Sequence, residues 1–216
     1  MILHLVQRPV TDDGTGTAPT SSSHTGPQVL TRDVYDLDGL DLSGTRGIMV
    51  SGGCDQRFLR GRRALLDDFV SAGGRLLING HPLEPFVSGL PAHRKLEFHT
   101  TRDLWLSETG SHPIWDGIDR RDLLLNTGVP GRHTFEELTR IGVAGFYAHA
   151  YLVDLPQDAV AITGIGQAAL PVDVSYPLGN GEVIIHLGND LMGFSRPGTS
   201  AHDLSHRVLR HLEEGR

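Results

Sequence analysis

Short apolar runs, each ended by glycine or a polar corner, set the rhythm of this chain. Met1 to Val6, Gly47 to Ser51, Arg75 to Asn79, Asp158 to Thr163, Val172 to Tyr176 and Glu182 to Leu187 have the length and bounding residues of strands. Between the second and third runs, Phe58, Leu59, Leu65, Leu66, Phe69 and Val70 fall on one helical stripe. Asp55 stands where an N-cap would be, and Gly73-Gly74 where a C-cap would be. This is a strand–helix–strand unit, and its short connections predict parallel strands with a right-handed crossover. Asn180-Gly181, between the last two runs, is a hairpin signal. Thr199 to Glu213 repeats Leu204, Val208 and Leu212 at four-residue steps, the pattern of a final helix.

The middle of the chain is less regular. Lys95 to Thr101 has the look of a strand, Pro113 can open a helical turn, and Thr134 with Glu137 forms a capping-box pattern. Thr11 to Gly26 contains nothing apolar larger than alanine or proline and is expected to be a mobile surface loop, a lid over any neighbouring site. The fold class that follows is α/β. It is a three-layer α/β/α sandwich of flavodoxin-like type, with a mainly parallel sheet and a late antiparallel hairpin, in a single domain spanning 1–216. Ligands of such sheets gather beyond the carboxyl ends of the strands.

Composition narrows the classes of function. The 216 residues are 38% hydrophobic with a net charge of −7, which argues against nucleic acid as a partner. The basic cluster Arg57, Arg60, Arg62 and Arg63 runs into Asp67 and Asp68 and reads as a solvated helix face. No apolar stretch reaches membrane-spanning length, and the start lacks a cationic leader, so no membrane and a cytoplasmic location are expected. A single cysteine allows no internal disulfide.

Certain segments resemble a known group. "FVSAGGRLLINGH", "HPIWDGI" and "YPLGNGEVIIHLGND" together resemble the class I glutamine amidotransferase-like superfamily, closest to its ThuA-like branch, linked by name to trehalose utilisation. The resemblance implies an amidotransferase-like domain with a nucleophilic cysteine on the corner after the Arg75–Asn79 strand. Here that corner reads Asn79-Gly80-His81. The partner motif His-x-Glu would begin at His186, but its glutamate position is Gly188. A glutaminase is therefore not expected.

The crest corners supply the candidates. His81 is taken as a general base with Glu84 to orient it, and Asp190 as an acid or ligand anchor. Glu84, His112 and Asn189 are taken as substrate-binding residues around them. Cys54, before a helix start, reads either as an activated thiol or as a small packed residue, with Asp55 opposing thiolate formation. His186 reads as a core histidine. His81, His112 and Asp190 have the chemistry of metal ligands but no anchoring spacing. His202 and His206 have helical spacing on a polar face, and Gly128 to His133 is glycine-rich without a clear preceding strand. No metal or other cofactor is assigned. The expected activity is binding or hydrolysis (a hydrolase or lyase) of a small polar molecule such as a carbohydrate. The alternative is an inactive scaffold, since relatives of this fold serve as oligomerisation modules inside larger glycosidases.

Overall fold

Hydrogen-bonded ladders join most of the expected strands into one sheet. The computed structural model describes residues 1–7, 27–124 and 147–215. The strands are β1 (Ile2–Val6), β2 (Val29–Asp33), β3 (Gly47–Val50), β4 (Arg75–Asn79), β5 (Ala92–Lys95), β6 (Leu106–Glu108), β7 (Ala150–Val153), β8 (Val160–Ile165), β9 (Leu170–Leu178) and β10 (Gly181–His186). The large sheet runs β2-β1-β3-β4-β10-β9-β8-β6. It is parallel from β2 to β10 and antiparallel from β10 through β9 and β8 to β6. The hairpin at Asn180-Gly181 is the point where polarity reverses. β5 and β7 form a separate antiparallel pair.

Helices cover both faces of the sheet. They are α1 (Gln56–Arg60), α2 (Arg63–Ser71), α3 (Arg120–Leu124) and α4 (Leu204–Glu213). Gly181 and Glu182 are consecutive on β10 and so point to opposite faces. A Cβ on Gly181 would strike the backbone of α2 at Val70, while the Glu182 carboxylate meets His211 of α4. α2 and α4 therefore lie on opposite sides, which makes the α/β/α layering explicit. The buried core, with Ile48, Leu77, Ile78, Val183 and Ile185 at its centre, runs along both faces of the middle strands.

The expectations differ from the structure at several elements. The helical stripe after Asp55 is two helices, because Arg62 leaves the helical region at φ −114°, ψ 17°. There the Arg62 guanidinium lies 3.7 Å from the Phe58 ring centroid and pairs with Asp38. The strand expected at Lys95 to Thr101 is displaced: β5 ends at Lys95. The final helix begins at Leu204, after a series of turns. β2 and β6 escape the pattern because each is short and less than half apolar, and β7, apolar throughout, because it is only four residues long. The loop at 11–26, the Thr134–Glu137 pattern and the Gly128–His133 stretch fall outside the described residues.

Candidate functional site

The corner after β4 is built by an asparagine, a glycine of positive φ and a histidine. Asn79 is buried; its amide donates to the Val50 carbonyl at 3.1 Å and its Oδ1 accepts from Leu191 N–H at 2.9 Å. It thus ties β3, β4 and the segment after β10 together. Gly80 follows at φ +88°, a conformation that favours glycine. A Cβ there would come within 2.8 Å of Gly52 Cα, so this position has no room for a side chain. Gln56, at the start of α1, holds the outgoing chain: its side chain donates to the His81 carbonyl at 2.8 Å and accepts from Leu83 N–H at 2.7 Å.

His81 then meets two further histidines. Its ring centroid lies 5.0 Å from that of His93 on β5 and 4.8 Å from that of His149, just before β7. The small β5–β7 pair therefore sets two imidazoles beside the crest. Burial, and then the charges of His149 and His93, lower the His81 pKa from its usual value. His81 is consequently a neutral base at neutral pH.

The opposite wall comes from β3 and the segment after β10. Asp190 accepts the Ser51 hydroxyl at 2.7 Å through Oδ2 and the Gly52 N–H at 3.1 Å through Oδ1. His4 Nε2 lies 2.8 Å from the same hydroxyl, and burial lowers the His4 pKa against the opposing pull of Asp190. Ser51, Gly52, Gly53, Gly80, His81, His149, Gly188, Asn189 and Asp190 line one cleft of about 560 Å³. That volume suits a small metabolite.

Three of the five expected site residues share this cleft: His81, Asn189 and Asp190. Glu84 and His112 do not join them. Glu84 turns to Arg60 at 2.7 Å and Arg57 at 3.6 Å and does not orient His81. His112 lies at the amino end of β10, bonded to Glu182. A trio of His81, His112 and Asp190 is therefore not formed. His202 precedes the final helix, so its helical spacing to His206 is not realised. Cys54 packs inward and donates to the Leu5 carbonyl at 3.2 Å.

His186 is a core histidine beneath this floor. Its Nδ1 meets Asp173 at 2.7 Å; Tyr147 donates to the other Asp173 oxygen at 2.8 Å, and Trp115 donates to Tyr147 at 2.9 Å. Its Nε2 has no hydrogen-bond partner among the described residues. Ser51, His4, Gln56, His93 and His149 escaped the sequence reading. Ser51 alone carried a local signal, as the last polar residue of a strand before two glycines.

No family model matches the chain, and no curated protein matches it. Among solved structures, a cytoplasmic protein from Salmonella typhimurium aligns with a TM-score of 0.52 at 11% identity, over 85% of this chain and 80% of its own. An exo-β-1,4-mannosidase from Opitutaceae bacterium strain TAV5 aligns with a TM-score of 0.47 at 12% identity, over 100% of this chain and 36% of its own. A β-galactosidase from Bacillus circulans sp. alkalophilus aligns with a TM-score of 0.39 at 15% identity, over 86% of this chain and 24% of its own. The chain thus spans well under half of either glycosidase, and likeness that loose carries no functional inference. The first similarity concerns the fold alone.

Proposed function

We propose that the crest cleft binds a small polyhydroxylated metabolite, a carbohydrate, and that the chain is an amidotransferase-like domain of ThuA-like kind without glutaminase activity. The observation that supports this most is the convergence of His81, Asn189 and Asp190 with glycine backbone in one cleft. Asn189 is exposed there and offers both a donor and an acceptor, the pairing a sugar hydroxyl needs. Asp190, already fixed by Ser51 and Gly52, keeps further lone pairs for a ligand hydroxyl. In a hydrolytic reaction His81, being neutral, takes the proton of an attacking water. The corner carries Asn79, Gly80 and His81 and no thiol.

The test is saturation-transfer NMR with glucose and trehalose on the unaltered chain, H81A and N189A, with reducing-sugar release measured alongside. Transfer to a sugar that is lost in both variants supports the reading. No transfer to either sugar, or transfer unchanged by both variants, overturns it. The absence of a cysteine at the Asn79-Gly80-His81 corner and of a glutamate at Gly188 also favours a second reading, an inactive scaffold or oligomerisation module. In that case H81A and D190A leave the oligomeric state, measured by light scattering, unchanged while no sugar binds.

A further inference from the structure

The other end of β10 carries a second polar cluster. Glu182 is the second residue of the strand, His112 comes from the loop after β6, and His211 from the last turn of α4. His112 Nε2 lies 3.2 Å from Glu182 Oε1, and His211 Nε2 lies 2.7 Å from Glu182 Oε2. The ligand atoms of all three lie within 4.8 Å of one another. Both imidazoles are nearly sealed, at 5% and 6% exposure, and their ring centroids are 4.7 Å apart. Glu182 faces outward onto a cleft of about 420 Å³ that Arg75, Asn180, Gly181 and Glu214 also line. Of the three residues, Glu182 alone borders this cleft.

We infer that His112, Glu182 and His211 form a binding site for a divalent transition-metal ion, zinc foremost, with solvent from the cleft completing the coordination. A tetrahedral zinc with bonds of about 2.0–2.2 Å requires donor atoms roughly 3.3 Å apart. In the cluster the two imidazole nitrogens stand 3.2 and 2.7 Å from different Glu182 oxygens, and all donors lie within 4.8 Å, so small side-chain rotations bring three of them to that spacing. Two imidazoles and one carboxylate suit zinc and its neighbours, whereas calcium and magnesium select oxygen ligands throughout.

Without metal, hydrogens occupy the same place. Ile114 N–H donates to His112 Nδ1 at 3.3 Å, which puts the histidine's own hydrogen on Nε2, towards Glu182. His211 Nδ1 is buried with no hydrogen-bond partner among the described residues. Metal binding at Nε2 puts each ring hydrogen on Nδ1, where that of His112 would face the Ile114 N–H, so the His112 ring must turn away from Ile114 to bind. Arg75 stands 3.9 Å from Glu182 Oε2, and its charge is offset by Glu214 at 3.4 Å.

The experiment uses the full chain, stripped with chelator and desalted, titrated with zinc by calorimetry. Histidine side-chain ¹⁵N spectra are followed in parallel. One zinc per chain is expected, with the His112 and His211 resonances changing at one equivalent while His4 and His81 stay in place. E182Q and H211Q weaken uptake at least about tenfold, the scale on which even outer-shell changes act. No uptake overturns the site. So does uptake that leaves the His112 and His211 resonances unmoved, since surface histidines would then be the ligands. The resonances are read on the unaltered chain, so the test stands even where a variant fails to fold.

Discussion

A cysteine next to two glycines and a helix start has two meanings in sequence, and burial decides between them. Cys54 is 7% exposed, and burial first, then the charges of Asp190 and Asp33, push its thiol up from 9.0 to about 11. A two-unit rise leaves about a hundredth of the thiolate an unshifted cysteine would hold. Alkylation by iodoacetamide at pH 8 is therefore expected to run at least about a hundredfold slower than for a small thiol, and a rate within tenfold would refute the packing described. His81, Asn189 and Asp190 were legible because strand crests collect ligands whatever the side chains do. Glu84 and His112 were not, because where they turn depends on partners far away in sequence. Glu84 answers to Arg57 and Arg60, and His112 to a glutamate seventy positions later.

Corners and edges tell a different story from strand interiors. β4 and β10 were readable since apolar runs next to glycines suit strands buried on both faces, and β9 by the alternation of Val172, Val174 and Tyr176 with Asp173 and Ser175 before Asn180-Gly181. β2 and β6, at the two edges of the large sheet, bury fewer side chains, so their sequences carry little pattern. The break between α1 and α2 was hidden as well, because both helices continue the same apolar stripe. His211 was within reach: it sits three residues after Val208 and so joins the stripe of Leu204, Val208 and Leu212. The corner at Gly80 is the most exacting of these joints. Replacing it with alanine adds a left-handed backbone penalty to a 2.8 Å approach to Gly52. G80A should lose about 1–3 kcal/mol in urea denaturation, while a change under about 0.5 kcal/mol would show that the corner relaxes freely.

At the scale of the molecule, the sheet changes polarity at β10, which is parallel to β4 on one side and antiparallel to β9 on the other. The sequence disclosed this through Asn180-Gly181, since a tight hairpin can join only antiparallel strands. No described helix is long and apolar enough to cross a membrane. What no local pattern could disclose is which loops meet, because that depends on the order β1-β3-β4-β10. A strand laddered on both flanks cannot slip, since a shift by one residue would turn every side chain to the wrong face. β10 therefore acts as a fixed spacer: Glu182 and His186 stand about 13 Å apart along it at roughly 3.3 Å per residue, with the sealed Ile184 between them. The two ends are thus held at a fixed separation along the strand. Changes made at Glu182 and at His81 should add, so the stability loss of E182Q/H81A should equal the sum of the single losses to within about 0.5 kcal/mol. A larger discrepancy would mean that the strand passes strain along its length and that the two ends answer to each other.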